Sequence, residues 1–124
     1  QTAPMEFRQE AQYIVQLLMS LPADQRPDGL YISDDNLVPD SCRGLLQSPV
    51  QLGKDLHVVT HHNFPCQSES MLPIHEIGFD IRELLAIALK RLEAKRNGDQ
   101  CAKPVKIKAI RAQQVTQFKQ EMML

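Results

Sequence analysis

Apolar residues recur at helical spacing over residues 6–21, EFRQEAQYIVQLLMSL, at Phe7, Ala11, Ile14, Val15, Leu17, Leu18 and Leu21. Steps of three and four place them on one face of an amphipathic helix, widened at its end. Pro22 cannot extend a helix and stops it. A polar, proline-rich turn, PADQRPDG, leads into GLYIS, 29–33, a short apolar run that reads as a buried strand. Asp35 or Asn36 can cap a helix over 37–47, with Leu37, Val38, Leu45 and Leu46 as its apolar positions. Pro39 fits only in its first turn. After the loop SPVQLGKD, the run LHVVT, 56–60, reads as a second buried strand. Residues 63–71 read as an irregular loop and MLPIHE, 71–76, as a short extended segment.

The plainest periodicity lies in 79–96, FDIRELLAIALKRLEAKR, with Ile81, Leu84, Leu85, Ala88, Leu89 and Leu92 at spacings of three and four. Asp80 and Glu83 come early and the basic residues late, as the helix dipole prefers. Asn97-Gly98 ends this helix. PVKIKAI, 104–110, alternates, with Val105, Ile107 and Ala109 on one face and Lys106, Lys108 and Ile110 on the other. That pattern suits a half-exposed edge strand on which lysines discourage further pairing. The Gln-rich tail 112–124 carries Phe118, Met122 and Met123, enough to dock a last helical turn. The order helix–strand–helix–strand–extended–helix–strand specifies an α/β fold, three layers around a mainly parallel sheet. There are no repeats and no interdomain linker.

Composition refines this picture modestly. A chain of 124 residues suits one domain with a modest core. A net charge of −1 argues against a nucleic-acid or anionic-membrane surface. The cluster Lys90, Arg91, Lys95 and Arg96 reads as the basic end of a helix. No apolar run approaches the roughly 20 residues of a membrane span, and no secretory pattern is visible. The first residue is Gln rather than Met, which reads as a processed or truncated terminus. Cys42, Cys66 and Cys101 are odd in number and lack metal-type spacing, so three reduced thiols in a cytoplasmic protein are expected.

Ligands of open α/β sheets collect beyond the carboxyl ends of the strands. Two such ends stand out, SDDN, 33–36, and THHN, 60–63, expected to be neighbours because one helix joins their strands. Asp34, Asp35, His61 and His62 are the residue types that bind zinc, manganese or iron and activate water. Adjacent residues of a strand, however, point to opposite faces, so neither the acids nor the histidines easily share one ion. A phosphoacceptor aspartate would need a second acidic pair and a later strand-end lysine, which the chain lacks. Short polar side chains at strand ends also make a rim for sugar hydroxyls. The plainest alternative is that the acids cap a helix and the histidines face solvent.

RPDGLYISDDNLV, 26–38, followed by LGKDLHVVTHHNFP, 52–65, resembles the effector-binding domain of the Lac repressor/Gal repressor family of bacterial transcription regulators. That family shows an R-P-D/T-A leader, an apolar strand, a polar triplet that starts a helix, and a strand of the form P-x-D-L-S-V-V-G-F/Y-D. LPIHEIGFDIRELLAIALKRLEAKRNG, 72–98, resembles the returning strand and long helix that close such domains, and PVKIKAIRA, 104–112, their last strand. The resemblance covers almost the whole chain and implies a partial type I periplasmic-binding-protein-like lobe, a fold shared with periplasmic sugar-binding proteins.

It also implies roles. Asp34 falls where the family has an effector-contacting Asn, His62 where it often has an effector-contacting Asp, and His61 at the preceding aromatic. Thr60 replaces the glycine before it. Asn36 is a further ligand candidate. Replacing an acceptor-only Asp by His brings in a donor, so the sugar preference does not transfer. The segments 37–47 and 63–71 match a dimer interface, with Leu37, Val38 and Phe64 as candidates and ordinary core or loop packing as the alternative. Family members are more than twice as long, with a first lobe and an N-terminal helix-turn-helix that this sequence does not contain. The reading is therefore a single C-terminal fragment, 1–124, of a cytoplasmic regulator. It would bind a small polar ligand, a sugar, and reach DNA only through the missing domain. A homodimer is expected, with no catalysis, metal or cofactor. The alternatives are a fragment of a periplasmic sugar-binding protein, or of a metal-dependent hydrolase using Asp34 and His62. Helix 79–96 would pack on the missing lobe, and without it must fold back on the sheet or meet a second copy.

Overall fold

The computed structural model describes residues 5–66, 70, 72–100 and 103–115. Along the chain run helix α1 (Met5–Met19), strand β1 (Gly29–Ile32), a 3₁₀ turn (Asp35–Leu37), α2 (Val38–Leu46), β2 (His57–Phe64), β3 (His75–Asp80), α3 (Ile81–Arg96), β4 (Ile110–Arg111) and a closing 3₁₀ turn (Ala112–Gln114). The strands form one mixed sheet in the order β1-β2-β3-β4, so the chain is α/β as its pattern specifies. Among the described residues no helix is long and apolar enough to cross a membrane. Phe7's side chain, Cys101, residues 67–69 and 71, and the tail with Phe118, Met122 and Met123 lie outside the described residues.

The chain divides into two compact units. One holds the described residues up to His62 together with Ser70 and 72–76; the other holds 63–66 and those from Ile77 onward.

The first unit contains the principal core. Val15 and Met19 of α1, Ile32 of β1, Val38, Cys42 and Leu45 of α2, and Leu56 and Val58 at β2 pack into one cluster. Leu18, Leu30, Leu37, Val50, Leu52, Leu72 and Ile74 close around it. Gly44 sets how closely α1 and α2 approach. A Cβ there would stand 2.6 Å from the Gln12 carbonyl oxygen and 3.0 Å from Val15 Cβ. The same two helices are tied at their surface by Gln47 Oε1, which accepts from Gln12 Nε2 at 2.9 Å and also from Gln16 Nε2. Three apolar positions of the sequence pattern do not enter the core: Ile14 and Leu17 of α1 are exposed, and so is Leu46 of α2. The widened stripe of α1 spans more arc than one contact face can cover.

In the second unit β3 and β4 pair antiparallel, Ile77 with Arg111 and Gly78 with Ile110. Helix α3 begins at Ile81, not at residue 79, because Asp80 is its N-cap and the preceding residues continue β3. Gly98, at φ +92°, follows the Asn97 C-cap, so the helix stops where Asn97-Gly98 indicated. The edge strand expected over 104–110 shrinks to Ile110–Arg111. Ile110, which the alternation put on the lysine face, is the buried residue, and Val105 is exposed. A period-two pattern becomes a strand only where a neighbouring edge offers partners, and here β3 pairs at two positions only. α3 buries none of its residues.

Candidate functional site

β1 and β2 pair in parallel, with Gly29 opposite His57, Leu30 opposite Val58, Tyr31 opposite Val59 and Ile32 opposite Thr60. Parallel pairing brings the carboxyl ends of both strands to the same side. Ser33 and Asp34 therefore leave β1 beside the point where His61 and His62 extend β2. This is the neighbourhood that one connecting helix between the strands implied.

At the β1 end, Asp34 rather than Asp35 or Asn36 is the cap. Its backbone is extended, and its Oδ1 accepts from the Asn36 backbone N–H at 2.9 Å and from Asn36 Nδ2 at 2.9 Å. The cap serves the 3₁₀ turn Asp35–Leu37. α2 itself starts behind Leu37 with no side-chain cap, and Pro39 stands in its first turn. Asp34 is half-buried, and among the described residues nothing donates to its Oδ2. Asn36 is exposed.

At the β2 end, the strand does not stop at Thr60 but runs to Phe64, so 63–64 belong to the strand and not to an irregular loop. Val58, Thr60, His62 and Phe64 are buried, while Val59, His61 and Asn63 are half-buried, a strict alternation along the strand. The two histidines thus occupy opposite faces, as strand geometry requires. His62 is only 8% exposed and lies on the face of Val58; His61 is the more open of the two. The polar run HHNF continues the alternation with different chemistry, which is why it reads as an exit from the sheet when identity is weighed above period.

The interface candidates lie differently. Val38 is in the core, Phe64 is 3% exposed, and Leu37 is half-buried against the core. Among the described residues, no group of three His, Cys, Asp or Glu side chains is placed to hold a metal ion. Cys42 is buried on α2 with its Sγ 3.5 Å from Ser70 Oγ, whereas Cys66 is exposed; both are reduced.

A third strand-end carboxylate belongs to the second unit. Asp80 closes β3 and is 1% exposed. Its Oδ1 accepts from the Arg82 backbone N–H at 3.0 Å and from Arg82 Nε at 2.9 Å, and its Oδ2 accepts from Arg82 Nη2. The Arg82 hydrogen bonds hold the Asp80 carboxyl below its ordinary value, against the opposing effect of burial, and the carboxylate holds the guanidinium above its own. In the sequence Asp80 reads only as an early helix acid. The signal for more was the D-x-R spacing, which suits an N-cap paired with the first-turn arginine.

What this arrangement offers chemically is recognition. Asp34 presents an acceptor, and a histidine ring both donates and accepts when neutral, the combination that reads hydroxyl groups. No protein-family model matches the chain, and no curated protein does. Solved structures do match. A LacI regulator from Lactobacillus casei with bound Tris is 24% identical, with a TM-score of 0.64, over 84% of this chain and 37% of its own. LacI family transcriptional regulators from Lactobacillus casei with bound glucose and with bound sucrose are 20% and 22% identical, both at a TM-score of 0.65. They match 84% of this chain and 37% and 38% of theirs. The chain has the LacI-regulator fold. It spans less than two fifths of the length of these LacI-regulator structures.

Proposed function

We propose that the chain is the C-terminal part of the effector-binding domain of a bacterial transcription regulator, and that the effector is a sugar or similar polyol. The observation that carries this reading is the parallel register of β1 and β2, which sets Asp34 and the two histidines at adjoining strand ends. It does so in a fold shared with regulators solved with glucose and sucrose. In this reading Asp34 Oδ2 accepts from a ligand hydroxyl. His62 presents a ring nitrogen to another hydroxyl, and His61 and Asn36 contribute from the rim. The complete protein closes two lobes around the ligand, and that closure changes how its dimer holds DNA. Leu37 is the dimer contact best placed to reach a partner, being less enclosed than Val38 or Phe64. The role is binding without catalysis, in the cytoplasm. DNA is reached through a domain outside this sequence.

The test is a titration of the isotopically labelled chain with mono- and disaccharides, read by amide and imidazole chemical shifts. Half a site binds weakly, so the expected result is fast-exchange shifts confined to 33–36 and 60–63, lost in Asp34→Ala and His62→Ala. Shifts elsewhere, or none with any sugar, would count against a polyol site here.

A further inference from the structure

We infer that Asn36 limits Asp34 to a single ligand hydroxyl, by filling the carboxylate oxygen that would otherwise accept a second one. The inference rests on the polyol reading above, and within it Asn36 is a positioning residue. An ionised carboxylate has two oxygens and about four lone-pair sites. An open one can accept from two neighbouring hydroxyls of a sugar, one on each oxygen. Asp34 is not open in that way. Its Oδ1 accepts from the Asn36 backbone N–H and from Asn36 Nδ2, both at 2.9 Å. Two donors use both lone pairs of that oxygen.

The two bonds have different origins. The backbone bond is the cap of the turn Asp35–Leu37, and any short acceptor side chain at residue 34 would make it. The amide bond depends on the side chain at residue 36. The 3₁₀ turn carries Asn36 round to the carboxylate, and its exposed side chain makes no other hydrogen bond among the described residues. The amide nitrogen has to face Asp34, because an amide oxygen there would set acceptor against acceptor. Donors arriving from the backbone and from the side chain also fix the plane of the carboxylate, and Oδ2 with it. Oδ2 then takes one hydroxyl. A vicinal pair turned onto Oδ2 together would bend both O–H bonds off line. The next hydroxyl along the sugar ring is left to other groups, such as the histidines of β2, the strand paired with β1.

The experiment titrates the labelled 124-residue chain with methyl α-glucopyranoside and with each of its monodeoxy analogues, and repeats the set with Asp34→Ala. Removing one particular hydroxyl should weaken binding several-fold, and Asp34→Ala should abolish that difference. Every other hydroxyl should be indifferent to Asp34. Asn36→Ala releases Oδ1, and so does Asn36→Ser, a second variant that keeps a turn-forming residue in place. In both, a second hydroxyl, adjacent on the ring to the first, should become coupled to Asp34. A residue that merely supported the turn would instead lower affinity for every analogue by one common factor and leave a single hydroxyl coupled. That result, or two adjacent hydroxyls coupled to Asp34 in the parent chain, would overturn the inference and leave the polyol reading standing. No shift at 33–36 and 60–63 with the glucoside would remove both.

Discussion

At the residue scale, Asp80 shows how one side chain sets a boundary that periodicity leaves open. Its carboxylate is buried, caps α3 and is held by Arg82. The folded-state value lies below the ordinary 3.8, so the unfolded chain takes up the proton first as pH falls. The stability that Asp80 contributes is therefore fully present above its ordinary value and is lost as pH drops through the depressed one. Urea unfolding followed between neutral pH and pH 3 should show a steep acid limb that Asp80→Asn flattens. At neutral pH, Asp80→Ala should cost about 1–2 kcal/mol through the lost cap. Gly44 makes a second residue-scale case. A methyl group placed 2.6 Å from the Gln12 carbonyl must push α1 away, so Gly44→Ala should destabilise by about 1–3 kcal/mol in the same assay.

At the element scale, what was legible in the sequence was whatever a period and its punctuation define together. α1 and α3 carry clear helical spacing, and Pro22 and Asn97-Gly98 close them within two residues of where the structure does. Strand ends were less legible. β2 extends through His62 and Phe64 because the alternation of buried positions persists after the apolar chemistry ends. β3 hides behind Gly78, which contributes no side chain to a pattern. β4 fails in the other direction, since alternation without a partner edge is not a strand. The candidate site divides along the same line: the adjacency of the two strand ends follows from topology, but which acid caps the turn depends on backbone geometry that composition does not encode. Burial sorts the leucines in a way that a stability scan can check. Leu56→Ala, at a fully buried position, should cost about 2–5 kcal/mol. Leu46→Ala, on the exposed side of α2, should change stability by less than about 0.5 kcal/mol.

At the scale of the whole molecule, the chain is an α/β sheet with helices whose apolar surface is unevenly used. α1 and α2 bury one face each in a common core, while α3 buries none. The two described cysteines report on this unevenness. Cys66 is exposed and should react with a thiol reagent in the native protein, whereas Cys42 should react only on unfolding. The fold is that of regulators solved with sugars, and this chain covers 84% of itself in matching them and well under half of their length.

The doubled hydrogen bonding at Asp34 Oδ1 has a consequence for how an occupied site would announce itself. One carboxylate oxygen holds the turn that leads into α2, and the other points to where a ligand hydroxyl is proposed. A hydroxyl that orders Oδ2 also fixes the rotamer of the whole carboxylate, and with it the cap. The Asn36 amide hydrogen should then exchange with deuterium more slowly when ligand is present. That makes a single backbone proton, donated to Asp34 rather than to the ligand, the reporter of occupancy.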